Sequence, residues 1–206
     1  MKYNILTVLL IFTVSVAVAQ EGFERNLSSA ENAYVSGDLS DARFQLQQAM
    51  IQLELVIGKE VLKLLPSSID GKESIESEDN VLAQGAGIAG LNVTRKYGTV
   101  SMETASIEFN LVNNSPMLKM INSMLSNPLM MSAGGMGQKM VRIQGYKALI
   151  ETGESESGET ESVTIQIPFG DSLISMEFNK YTDENQAIAL VDEIKIGEIV
   201  KLVGQN

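Results

Sequence analysis

The chain predicts an α+β fold: an N-terminal helical hairpin followed by a mainly antiparallel sheet with helices packed on one side. Three observations carry this reading. Up to Pro66 the apolar residues recur at helical spacing, and the run ends where proline cannot continue a helix. From Asn92 the spacing changes to short, alternating, β-branched segments separated by turn residues. Those segments follow one another mostly without intervening helices, so hairpins rather than βαβ units connect them.

The first stretch lies outside the fold. Lys2 precedes an apolar run from Ile5 to Val18, and Ala17-Val18-Ala19 offers the small residues of a cleavage site. This pattern reads as a signal peptide over residues 1–19, with Gln20 as the mature start. The run is too short to span a bilayer comfortably. The expected product is exported, periplasmic or secreted, with no integral membrane segment after cleavage. Removing residues 1–19 takes one lysine, so a chain of net charge −11 becomes one of −12.

A first helix is expected from Ser28, with Ser28-Ser29-Ala30-Glu31 as a capping box. Gly37-Asp38 breaks it. A second helix runs from about Ser40 to Leu65, with Ala42, Leu46, Ala49, Leu53 and Val56 on one continuous seam and Gly58 inside it. Residues 20–66 therefore form a helical hairpin. Ala30, Ala33-Tyr34, Gly37-Asp38-Leu39, Ala42, Leu46 and Ala49 resemble part of a single tetratricopeptide repeat. A lone unit of that kind must pack on the rest of the chain, a second subunit or a partner.

Residues 67–91 read as a linker. Glu73, Glu76, Glu78 and Asp79 form an acidic run, and Gly85, Gly87 and Gly90 a flexible patch. Residues 92–206 form the α+β domain. Its expected strands are Val93–Tyr97, Val100–Leu111 with a bulge near Ala105-Ser106, Met140–Ile150, Val163–Ile167 and Leu173–Phe178. A Met-rich helix spans about Pro116–Leu125. Pro168-Phe169-Gly170-Asp171 turns the last hairpin, Thr182 or Asp183 caps a further helix, and Ile199–Val203 forms a final helical turn.

Several segments together suggest a kinship: Arg95-Lys96-Tyr97, Asn114-Ser115-Pro116-Met117-Leu118, Leu125-Ser126-Asn127-Pro128, Val141-Arg142-Ile143-Gln144-Gly145-Tyr146 and Val191-Asp192-Glu193-Ile194. They resemble small exported bacterial proteins of unassigned function, whose α/β part is similar to the Mog1/PsbP-like sandwich. The resemblance implies a bacterial envelope location and supplies no catalytic residues.

Composition narrows the chemistry. The chain has no histidine and no cysteine, which removes the imidazole base, the thiol nucleophile, disulfides and thiolate metal sites. Its acidity, with four arginines, argues against nucleic acid. Gly85-Ala86-Gly87-Ile88-Ala89-Gly90 matches G-x-G-x-x-G, but an acidic segment precedes it and a strand follows, the reverse of a dinucleotide site. Glu151, Glu154, Glu156, Glu159 and Glu161 fit no calcium loop and read as a solvated hairpin loop. Arg95, Lys96 and Arg142 meet on an anion only if their strands are neighbours; charge balance on the sheet is the simpler reading. No catalytic residue, metal site or cofactor is expected.

Two candidate sites remain. Leu46, Leu53 and Ile57 on the hairpin seam are expected to bind a protein partner or a second copy. Met117, Met120 and Met124 share one helix face and would line a pocket for an apolar ligand between helix 116–125 and the sheet. For the methionines, core packing and a Cu(I) thioether site are the other readings. The expected function is that of a non-enzymatic envelope protein working through protein–protein interaction or self-association, with an apolar-ligand carrier as the alternative.

Overall fold

The computed structural model describes residues 21–84, 90–99, 105–113, 118, 121, 138–154 and 160–204. The described residues form an N-terminal helical hairpin followed by a large antiparallel sheet, an α+β fold.

Helix α1 is already formed at residue 21 and continues to residue 36. Ser28 therefore lies inside a helix rather than capping one, and the expected capping box is corrected. The apolar pattern reaches back through Phe23 and Leu27, so the helix extends N-terminal to the serines. Gly37 ends it at φ 86, with Gly37 N–H donating to Tyr34 O at 3.1 Å and Asp38 N–H to Ala33 O at 2.9 Å. That pair of bonds is a Schellman motif, which needs the left-handed conformation glycine adopts freely. Asp38 immediately caps α2 (Leu39–Leu64), its carboxylate accepting from Asp41 N–H at 2.9 Å.

Residues 67–84 of the span expected to be a linker are structured, a second correction, and residues 85–89 lie outside the described residues. Strands β1 (Ser68–Ile69) and β2 (Lys72–Glu73) form a small hairpin around Asp70-Gly71, both at positive φ. An Asp-Gly pair suits this turn because its twist matches that of the flanking strands. A 3₁₀ turn follows at Glu76–Glu78, then β3 (Asn80–Ala83), the first strand of the main sheet. Tertiary contacts hold the span down. Tyr181 hydroxyl donates to Asp70 at 2.7 Å, and Lys72 Nζ sits 5.1 Å from the Tyr181 ring centre. The Tyr181 hydroxyl, and then Lys72, hold the Asp70 carboxyl below its ordinary range.

The main sheet continues with β4 (Leu91–Gly98), β5 (Ser106–Asn113), β6 (Lys139–Ile143), β7 (Tyr146–Glu154), β8 (Thr160–Phe169) and β9 (Ser172–Asn179). Its order is β3-β4-β5-β9-β8-β7-β6, antiparallel throughout. Two meanders thus meet at the β5–β9 pair, and the 114–138 connection carries the chain from mid-sheet to the far edge. The expected single strand Met140–Ile150 is two strands, a third correction. Gln144-Gly145 at φ 48 and 89 turns the chain, and Val141–Ile143 then pairs with Tyr146–Ala148. On β5, Ile107, Phe109 and Leu111 all face the core; Val100 and Met102, which prompted the expected bulge, lie outside the described residues.

One sheet face carries the core. Leu91, Val93, Tyr97, Ile107, Phe109, Leu111, Val163, Ile165, Ile167, Ile174, Met176 and Phe178 alternate inward with period 2. The second half of α2 covers β3 and β4, and α3 (Glu184–Val191) covers β8. Helix α4 (Ile196–Val203) packs beside α2. Asp183 caps α3 by accepting from Asn185 N–H. On the opposite face Leu118 and Ile121 are buried against Leu149 and Leu173 in a separate small cluster.

Candidate interaction surface on the helical hairpin

Helix α2 has two environments. Its second half docks on the sheet. Gly58 faces Val81, Leu91 and Val93 so closely that a Cβ would overlap Val81 and stand 2.9 Å from Leu91 Cδ1. Val61 and Leu65 are buried below it. Arg95 locks this end: its guanidinium donates to both carboxylate oxygens of Asp79 and to Leu62 O at 3.0 Å. The Asp79 carboxylate raises the Arg95 pKa against the desolvation that would lower it. Tyr97 hydroxyl donates to Pro66 O at 3.1 Å, and burial pushes its pKa up to about 12.

The first half of α2 pairs with α1 through small residues, and Gly22 on α1 lies against the Gln52 side chain. Ala30 and Ala33 on α1 and Ala42 and Ala49 on α2 are buried. These alanines bring the two helices close, and larger neighbours are pushed to the flank. The expected seam therefore divides. Ala42 and Ala49 make the hairpin contact, Leu46 and Leu53 stand outside it, and Ile57 is partly buried against the main core.

Helical phase shows where the flanking residues go. Each residue advances about 100°. Phe23, Leu27 and Tyr34 lie on the advancing side of the α1 contact stripe. Leu39, Leu46, Met50 and Leu53 lie on the advancing side of the α2 stripe. In an antiparallel pair of right-handed helices those two flanks share one face. Exposure on that face is 45% for Leu27, 68% for Tyr34, 63% for Leu39, 49% for Leu46, 55% for Met50 and 37% for Leu53. No charged side chain falls between these residues on this face; the charges of the helices lie on the outer rims and the opposite flank. Val35 and Phe44 are also exposed but point elsewhere. These exposed apolar residues form an uncharged patch on a strongly acidic chain.

Leu46 and Leu53 were legible as a seam. Tyr34 and Leu39 entered only through the repeat resemblance and Leu27 and Met50 not at all, although Leu27/Tyr34 and Leu39/Leu46/Leu53 repeat at seven residues, a spacing that marks Leu27, Tyr34 and Leu39 as part of the same face.

Glu54 lies one turn before Gly58. Among the described residues its buried Oε2 has no hydrogen-bond partner, and desolvation raises its pKa.

The other candidate residues fall elsewhere. Met117, Met120 and Met124, the candidate apolar-ligand site, lie outside the described residues, as do residues 1–20 with the expected signal peptide. The three cations do not converge. Arg95 is buried on Asp79, Lys96 on the opposite face of β4 meets Glu78 at 3.1 Å, and Arg142 on the far edge strand donates to Gly145 O. A shallow groove of about 620 Å³ on the polar sheet face mixes Lys96, Glu108, Glu161, Glu177 and Lys180. Its lysines are engaged by Glu78 and Glu161. Among the described residues no cluster of three or more acidic groups is placed to hold a metal ion. No described helix is long and apolar enough to cross a membrane.

Comparison with family models, characterised proteins and solved structures gives no match.

Proposed function

We propose that this chain is an exported, non-enzymatic envelope protein that acts by protein–protein contact through one face of its helical hairpin. The observation that carries the reading is the uncharged face formed by Leu27, Tyr34, Leu39, Leu46, Met50 and Leu53. The rest of the described molecule offers no comparable surface. Its sheet core is built of buried apolar side chains, its buried arginine is neutralised by Asp79, and both lysines of its polar groove are engaged by Glu78 and Glu161. Export rests on the n-region, apolar run and A-x-A of residues 1–19.

The test is site-specific photo-crosslinking in the producing cell, with the reactive group placed at Leu27, Leu46 or Leu53 and, as a control, at exposed Asp41 on the opposite flank of α2. Protein adducts from the three face positions and none from Asp41 are expected, on a chain whose N-terminus is Gln20 in the exported fraction. Absence of any protein adduct at all three positions overturns the contact reading. A chain that keeps residues 1–19 and stays inside the cell overturns the export reading.

A further inference from the structure

We infer that the apolar hairpin face closes on the same face of a second copy, making a four-helix bundle about a two-fold axis parallel to the helices. The inference rests on the contact reading above and names its occupant. A free two-helix hairpin needs one apolar stripe per helix. Both helices here carry a second. Helix α2 sets Ala42 and Ala49 toward α1 and Leu39, Leu46, Met50 and Leu53 to the side. Helix α1 sets Ala30 and Ala33 toward α2 and Leu27 and Tyr34 to the same side. Apolar stripes of this width belong to helices with two helical neighbours, as in a four-helix bundle.

Charge selects a second copy as the occupant. Two mature chains, each of net charge −12 once Lys2 is removed from a chain of −11, repel over most of their surfaces. The hairpin face bears no charge between its rims, so copies can approach there without facing like charges. The rims are complementary. Glu31 marks the outer edge of α1 and Arg43 the outer edge of α2, and each stands six residues from Gly37, at matching height. Neither enters an ion pair within the described chain. A two-fold axis along the helices lays α1 over the other copy's α2, antiparallel. It sets Glu31 of each copy beside Arg43 of the other, once on each side of the bundle. A two-fold axis across the helices would instead stack α1 on α1, with the two glutamates on the same edge and no arginine to meet them.

The test measures the mass of the full mature chain in solution, using light scattering and sedimentation over a range of concentrations. A dimer is expected. Leu46→Asp should raise its dissociation constant about 30-fold or more, with circular dichroism unchanged. Glu31→Arg and Arg43→Glu should each weaken it by roughly threefold, and the double variant should recover the parent value. The chain has no cysteine, so the register can be read directly. Mixing Glu31→Cys with Arg43→Cys chains should give a 31–43 disulfide in high yield, and Glu31→Cys alone little 31–31 product. A dimer that forms 31–31 instead overturns the axis, and a monomer at every concentration overturns self-association. If the chain is monomeric yet crosslinks a different protein through Leu46 or Leu53 in the cell, this inference fails and the contact reading stands. If it is monomeric and crosslinks nothing, both fail.

Discussion

The two halves of α2 share a helix, a hydrophobic pattern and a direction, yet they do opposite things. Residues 58–64 lie on the sheet, where Gly58 admits Val81 and Leu91 and Val61 is wholly buried. Residues 39–53 lie along α1, where alanines fill the contact and leucines remain outside among the described residues. The difference is one of cover rather than composition. A helix with a wide apolar stripe needs apolar matter on two sides. The sheet and α4 supply it to the second half, and within the described chain nothing supplies it to the first.

The largest effect should come from the bond that fastens the docked half. Asp79→Asn leaves the Arg95 guanidinium buried with its charge uncompensated, beside the Leu62 carbonyl it also serves. Breaking a buried pair this way costs about 3–5 kcal/mol, and denaturant titration should show it. Arg95→Leu with Asp79→Leu should lose much less, because no charge is stranded. If Asp79→Asn is neutral, the clamp between β4 and α2 is unimportant.

Gly58→Ala comes next. Alanine favours helix by about 1 kcal/mol over glycine. Here its Cβ meets Val81 and Leu91, and overpacking of this kind costs about 1–3 kcal/mol. Net destabilisation is expected, together with loss of hydrogen-exchange protection at the α2–β4 contact. The control is Gly197→Ala in α4, whose added Cβ meets nothing within 4 Å and which should not destabilise. Equal behaviour of the two variants would mean that α2 does not sit tightly on the sheet.

How much of this was legible depended on whether a feature is local. The helical hairpin, the inward faces of β4, β5, β8 and β9 and the Asp183 cap follow from spacing and turn chemistry, and sequence shows those directly. The 67–91 span was misread because its acids looked solvated. Asp79 and Glu78 are in fact partners of Arg95 and Lys96 on the two faces of β4, a pairing only the folded register reveals. Gln144-Gly145 was missed because the apolar run Met140–Ile150 outweighed one turn dipeptide. On the hairpin, Leu46 and Leu53 were readable as a stripe, but their exposure was not. Periodicity reports the width of an apolar face and not what covers it.

A smaller effect lies at the boundary between the halves. The Glu54 pKa is raised by desolvation, so the fold favours its neutral form. Stability from that preference is fully present below the ordinary carboxylate range and is lost as pH rises through the raised value. Glu54→Gln should therefore raise the melting temperature slightly at neutral pH, and the gain should vanish in acid. A melting temperature lowered at neutral pH would show that the carboxylate has a partner there.

The contrast between the halves is tested most directly by one pair of substitutions. Val61→Asp places a charge in the core and should abolish cooperative folding, at a cost of several kcal/mol. Leu46→Asp places the same charge on the open face and should leave native circular dichroism and a cooperative melt, while the dimer is lost. If Leu46→Asp unfolds the chain as thoroughly as Val61→Asp, Leu46 packs within the subunit and the hairpin face is not a contact surface.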